Sequence, residues 1–229
     1  MTLVEQISHL LTQCSESQRR EIFQLLRRKF PIHPLERQWN TDAKMILEAI
    51  ARSSDLTQRG VRGVIAEAAF KYWVIAKLRG WSAEEFAGDQ PYDFLLRDAA
   101  GSTRIQVKMQ RLKGHAPMKA SQAYRRLPDG MFVVETQKTR GGRGPHTGED
   151  TRPYRFNEFD ILVVSMHPST NDWRSFMYAV SDWLLERPQN PKFMLKFQPV
   201  PKSPNEGWTD DFLIAVRWLR SGEKRKIPA

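Results

Sequence analysis

Two strand-like runs, Tyr92 to Arg97 (YDFLLR) and Thr103 to Met109 (TRIQVKM), flank a stretch of turn composition, Asp98-Ala99-Ala100-Gly101-Ser102. Turn residues between two alternating runs predict a β-hairpin. No other feature restricts the fold as much, because a hairpin register decides which side chains share a face. If Asp98 faces Gly101 across the turn, paired residue numbers sum to 199, and Asp93 falls opposite Gln106. Cross-strand partners point to the same face, and so do residues two apart on one strand. Asp93, Gln106 and Lys108 are therefore expected on one face. Phe94, Leu96, Ile105 and Val107 are expected on the other, where they can pack a core.

The flanking sequence supplies helices and further strands. Residues 1–30 read as two helices, with Leu3, Ile7, Leu10 and Leu11 on the first, and Ser15 or Ser17 capping a second that runs through Ile22, Leu25 and Leu26. Phe30-Pro31 and His33-Pro34 stop it, and a third helix is expected from Asp42 to Arg52. A long helix should run from about Gly60 to Arg79 and stop at Gly80. Strands are expected at Met131 to Thr136 and at Phe159 to Met166, the latter an apolar run of the buried kind. The Gly-, Arg- and Pro-rich stretch from Lys138 to Arg155 reads as a loop, Phe176 to Leu185 as a strand or a helix, and Thr209 to Leu219 as a closing helix. This order gives an α/β class, a sheet with a helix on at least one side. It lacks the even alternation of a doubly wound nucleotide-binding fold. The expected organisation is an N-terminal helical region (1–55), a core (56–185) and a C-terminal extension packed on the core (186–229).

Composition narrows the function. The chain has 229 residues, a 40% hydrophobic and 27% charged content, and a net charge of +10. Such a basic balance suggests an anionic partner, most commonly nucleic acid. The charge is concentrated: residues 104–155 hold twelve Lys and Arg against four acids, an excess of eight. That suits a surface that tracks phosphates. No stretch approaches the roughly 18 to 20 apolar residues of a membrane span, and the N-terminal segment reads as an amphipathic helix and not a secretory signal. A lone cysteine, Cys14, excludes an internal disulfide framework and a cysteine zinc cluster. A cytoplasmic protein without a nucleotide cofactor is the simplest expectation.

A carboxylate, an amide oxygen and an ammonium on one patch of sheet are the parts that phosphodiester hydrolysis needs. A hard divalent cation takes oxygen ligands, usually one or two carboxylates plus water and phosphate oxygens. It polarises the phosphate and lowers the pKa of the attacking water. A nearby lysine orients or deprotonates that water and offsets charge in the transition state. Asp93 is the expected anchoring ligand, with the Gln106 side-chain carbonyl and the Val107 backbone carbonyl beside it and Lys108 as the water-activating or charge-stabilising group.

The sequence Pro91-Tyr92-Asp93, followed after twelve residues by Gln106-Val107-Lys108, resembles the PD-(D/E)XK nuclease superfamily. That superfamily includes many type II restriction endonucleases, some homing endonucleases, and repair and junction-resolving nucleases. The similarity runs from Gly63 to Arg111, through a helix with an internal glutamate (Gly63-Val64-Ile65-Ala66-Glu67), a Gly-Trp turn and the two strands. The resemblance implies a restriction-endonuclease-like core with a mixed central sheet flanked by helices. It also implies a further metal-site acid on the helix, which falls on Glu67. Two departures stand out. Tyr92 separates Pro91 from Asp93, and Gln106 replaces the usual acid, which removes one negative charge from the metal site and adds weight to Glu67.

The expected activity is a Mg2+-dependent endonuclease on double-stranded DNA, with Mn2+ able to substitute, sequence-specific in the restriction manner and possible as a homodimer on a palindromic target. A structure-selective repair or junction nuclease and a DNA-binding protein with a degenerate site are the alternatives, the latter motivated by Gln106. Candidate DNA contacts are Gln110, Arg111, Lys113 and Lys119 after the catalytic strand, and Arg140, Arg143 and Arg152 in the Gly/Arg loop. Tyr154, Arg155 and Glu158 precede the apolar strand with no decisive argument for a role. His115, His146 and His167 are too far apart to form a recognisable metal motif.

Overall fold

The structure is a computed structural model that describes residues 1–86, 88–138 and 151–228. The chain divides into two compact units, Met1–Gln58 and Arg59–Ala229. No helix among the described residues is long and apolar enough to cross a membrane.

The first unit is built from short helices: α1 (Leu3–Gln13), α2 (Glu16–Lys29), α3 (Pro34–Gln38) and α4 (Ala43–Arg52). Each start is fixed by side-chain capping. Thr2 and Glu5 form a capping box on α1, Ser15 and Gln18 another on α2, and the Asp42 carboxylate accepts from the Met45 N–H on α4. None of α1, α2 or α4 contains a buried residue. The organising group is Glu36, whose carboxylate accepts from Ile32 N at 2.5 Å, His33 N at 3.2 Å, Ala43 N at 2.8 Å and the Arg27 guanidinium at 2.5 Å. The Arg27 guanidinium, with those N–H groups, holds this carboxyl down at about 2.

The second unit holds the sheet. The helix α5 (Asp55–Trp73) leads into a 3-10 turn, Ile75–Lys77. The sequence places this helix at about 60–79. It starts earlier because the Ser54 hydroxyl accepts from Thr57 N and the Ser54 carbonyl from Gln58 N. It stops earlier because the hydrogen bonds tighten to three-residue spacing at Lys77 and Leu78, before Gly80 turns the chain at φ +76. The strands of the central sheet and of the small sheet beside it are β1 (Ser82–Glu84), β2 (Phe94–Asp98), β3 (Gly101–Met109), β4 (Phe132–Glu135), β5 (Ile161–Ser165), β6 (Phe176–Val180) and β7 (Phe197–Val200). A last helix, α6 (Phe212–Ser221), is capped by Asp211, which accepts from Leu213 N and Ile214 N.

The central sheet has five strands in the order β1-β2-β3-β5-β6. β3 and β5 run parallel and the other neighbours antiparallel, so the expectation of a mixed central sheet flanked by helices is borne out. The hairpin register is the expected one: Asp98 pairs Gly101, and Phe94 pairs Ile105. Strand β5 is wholly buried, as its apolar run requires. The ambiguous stretch 176–185 resolves into β6 and a 3-10 turn, Ser181–Trp183. Residues 186–228 include β7, which pairs antiparallel with β4 in a small second sheet.

Each face of the sheet has its own core. On one, Leu96, Ile105, Val107, Ile161 and Val163 pack with Ala66, Ala69 and Phe70 of α5 and with Phe212, Ala215 and Val216 of α6. On the other, Leu162, Val164, Met177 and Ala179 pack with Val134, Tyr154, Phe159, Trp183 and Trp208. The parallel pair at the centre is tied by charge as well. Arg104 donates to Asp160 from its backbone at 2.7 Å and from its guanidinium at 3.1 and 2.7 Å, and Asp160 N donates back to Arg104 O at 2.9 Å. This fixes the register of β3 against β5.

Phe70 is fully buried and meets the rings of Phe94, Phe176, Tyr178 and Phe212 at 5.7 to 6.3 Å. Phe70→Ala removes this aromatic hub and is expected to lower stability by about 3–5 kcal/mol. Denaturant unfolding followed by near-UV circular dichroism checks it, and a loss below about 1 kcal/mol would show that the site collapses around the cavity.

Candidate active site

The site forms where strand pairing is interrupted. β2 begins at Phe94, but β3 runs on to Met109, so Gln106, Val107, Lys108 and Met109 have strand partners only on the β5 side. The Val107 N–H faces the side that β2 has vacated, and an unpaired buried N–H is costly. The Asp93 carboxylate takes it: Val107 N donates to Asp93 Oδ2 at 2.7 Å. Gln106 Nε2 donates to the same oxygen at 2.5 Å and to Val107 O at 3.2 Å. Asp93 N donates to Ile105 O at 2.8 Å, which holds the Asp93 backbone against β3. The hairpin thus brings Asp93 and Gln106 into direct contact.

One detail differs from the sequence reading. The Gln106 amide presents its nitrogen, not its oxygen, to Asp93. The reason is donor–acceptor matching: an ionised carboxylate and a backbone carbonyl both only accept, so the amide NH2 satisfies both. For Gln106 to offer its oxygen to a cation, the amide must turn over and release both bonds. Val107 O keeps a second lone pair beside the one that Gln106 uses.

Glu67 lies on α5 beside the buried Ala66, and its carboxylate is half-buried. Burial pushes its pKa up to about 7, the Asp93 charge adds to this, and Lys108 opposes it. Burial raises the Asp93 pKa as well, against Lys108 and the Val107 N–H. Lys108 is shifted downward by burial, and Asp93, Glu67 and Glu135 oppose that shift. Lys108 acts on both carboxylates, and Asp93 acts on both Glu67 and Lys108, so the fold gathers them into one electrostatic cluster, with Gln106 bonded to Asp93. Among the described residues no group of three or more His, Cys, Asp or Glu could hold a metal. The oxygen donors available here are the Asp93 and Glu67 carboxylates, the Val107 carbonyl and, after turning, the Gln106 amide. Two half-buried carboxylates with raised pKa values form a donor set that a hard cation suits, because its charge offsets the burial that raises both and the Asp93 repulsion that adds to it at Glu67.

The sequence reading left Tyr154 without a role, yet its ring adjoins this cluster. The Lys108 and Lys138 ammonium groups each lie 5.4 Å from its centroid. Glu158 pairs with Lys138 at 2.6 Å. Burial, with the nearby negative charges of Asp93 and Glu158, raises the Tyr154 pKa. The only sequence signal was an aromatic next to a proline at the end of a basic loop.

The candidate DNA contacts fare unequally. Gln110 is fully buried, because β3 carries it under Val134 of β4, and this corrects its assignment as a DNA contact. Arg111 is half-buried and 3.7 Å from Glu135. Lys113 is exposed, and Lys119 is exposed but 3.3 Å from Asp129. Arg152 is exposed, and its carbonyl accepts from Lys138 N at 2.8 Å, so the two ends of the Gly/Arg segment meet near Tyr154. Arg140 and Arg143 lie outside the described residues.

The raised Glu67 pKa makes stability depend on pH. Between about 4.5 and about 7 the folded chain binds more protons here than the unfolded chain, so stability falls as pH rises through that window. Glu67→Gln removes the effect. In metal-free buffer at pH 8 it is expected to raise stability by about 1 kcal/mol after allowance for solvent screening, or roughly 2–4 °C in Tm, with no gain at pH 4.5. Thermal unfolding at the two pH values checks this, and an equal effect at both would refute it.

No family model matches the sequence, and no curated protein matches it. Among solved structures, a bacterial homing endonuclease is similar over 72% of this chain and 98% of its own length, at 19% sequence identity and a TM-score of 0.39, too loose a likeness to assign an activity.

Proposed function

We propose that the chain is a Mg2+-dependent endonuclease of the PD-(D/E)XK type that hydrolyses phosphodiester bonds of double-stranded DNA. The observation that carries this reading is the cluster at the end of β2: Asp93, Gln106 and Lys108 on one hairpin, with Glu67 coupled to them electrostatically. The basic excess of residues 104–155 supports a polyanionic substrate. Asp93 and Glu67 would hold the metal, with Val107 O and a turned Gln106 amide beside them. When bound, Mg2+ neutralises phosphate charge and acidifies the attacking water. Asp93, anchored by two donors on β3, sets the place of that charge against the strand. Lys108 sits on the same strand, and burial makes its ammonium release a proton more readily than a surface lysine does. It can therefore orient the water, accept its proton, or offset charge on the phosphate. Cleavage of a fixed duplex sequence is the favoured form of the activity, and cleavage confined to branched or mismatched duplexes is the alternative.

A second reading is a DNA-binding protein with a degenerate site, favoured by the Gln106 nitrogen bonded to Asp93. Lys108→Ala separates the two. In the nuclease it is expected to slow cleavage by about 10²–10⁴-fold with duplex affinity nearly unchanged. Discrete bands from plasmid digestion would indicate a fixed sequence. No cleavage of diverse duplex and branched DNA by folded wild-type protein with Mg2+ would leave the second reading.

Gln106→Glu supplies a further check. It places a carboxylate against Asp93 in place of a donor, so the metal-free variant is expected to melt below wild type and to gain more Tm on Mg2+ addition. Equal Mg2+-induced shifts in the two proteins would argue against a metal between these side chains.

A further inference from the structure

We propose that Tyr154 is a positioning residue that holds the Lys108 ammonium in place through the face of its ring. This rests on the nuclease reading for its consequence, but its geometry stands independently. A lysine ends in a compact charge on a flexible four-carbon stem, and it acts at a fixed point only if something fixes that end. Among the described residues Lys108 makes no ion pair, and the Tyr154 ring is the partner that its ammonium meets, 5.4 Å from the centroid. That distance is within the range of a cation–π interaction, which strengthens when the pair is desolvated.

The ring is a rigid support. Tyr154 is buried, with 3% of its surface exposed. Phe159 meets it edge-on at 5.2 Å and 85°. Its carbonyl accepts from Met194 N at 2.9 Å, and the preceding Pro153 is bridged to Gln137. The Lys138 ammonium lies 5.4 Å from the same centroid and is held by Glu158 at 2.6 Å. The ring therefore receives two cations, one anchored by a carboxylate and one, Lys108, without such an anchor. The side-chain contacts of Tyr154 among the described residues are made by the ring, so the electron density of its face is the property that matters.

The test has one readout that needs no activity. In protein with 13C-labelled lysine, the Lys108 side-chain signals, assigned with Lys108→Arg, are expected to show ring-current shifts that persist in Tyr154→Phe and vanish in Tyr154→Leu. Absence of the shift in wild type overturns the proposal whether or not the protein cleaves DNA. The second readout is single-turnover cleavage with phenylalanine, 4-fluorophenylalanine and 3,4,5-trifluorophenylalanine at position 154, which keep the ring but progressively weaken its negative face. The rate is expected to fall stepwise to about a tenth while KM for the duplex stays within about twofold. Tyr154→Phe retains most of the rate. A flat series in an active enzyme overturns the positioning role and leaves the nuclease reading standing. An inactive wild type with the ring-current shift present removes the nuclease reading and keeps the Tyr154–Lys108 contact.

Discussion

A single unfilled position in a β-sheet organises the site. Strand β2 starts too late to cover Gln106 to Met109 of β3, and the backbone donor at Val107 would be left without a partner. The Asp93 side chain closes that gap, so a carboxylate is drawn to the sheet by the ordinary demand that buried N–H groups be paired. Gln106 is drawn to the same oxygen, and Lys108 follows along the strand. The chemical groups thus stand where they do because the sheet is incomplete there, and the helix α5 places Glu67 within reach of their charges.

This arrangement holds the site in electrostatic tension. Burial disfavours the charged form of Glu67, Asp93 and Lys108 alike, while attraction between the lysine and the carboxylates partly restores it. Such a balance is typical of places where charge must be ready to change during a reaction. It also explains why a neutral glutamine is tolerated at position 106. A third acid on the same strand would add repulsion to a cluster that already strains two carboxylates, whereas the amide satisfies both Asp93 and Val107 O.

The hairpin was legible in the sequence because its information is local. A turn and two alternating runs fix the register, and the register fixes that Asp93 meets Gln106. The parallel pairing of β3 with β5, the burial of Gln110 and the position of Tyr154 were not legible. Each depends on segments far away in the chain, and nothing in the local pattern of a strand tells whether its far edge will be covered. The orientation of the Gln106 amide was hidden for a different reason. Sequence says that an oxygen and a nitrogen are present, but only the surrounding acceptors decide which one faces Asp93. The long helix was shifted toward its N-terminus because Ser54 supplied a start that Gly60 did not.

The tie between Arg104 and Asp160 has a consequence for how the molecule comes together. The two residues are 56 apart in sequence, and the strands that they lock run parallel, so this contact must wait for a long loop to close. The hairpin bearing Asp93, Gln106 and Lys108 carries no such delay. In a hairpin standing alone these side chains would be open to water, where carboxylates and lysines keep their ordinary ionisation. It is the packing of segments distant in sequence, the Tyr154 ring among them, that shields the lysine from solvent. The altered acidity of the cluster is thus a property of the complete tertiary fold, and not of the hairpin that carries Asp93, Gln106 and Lys108.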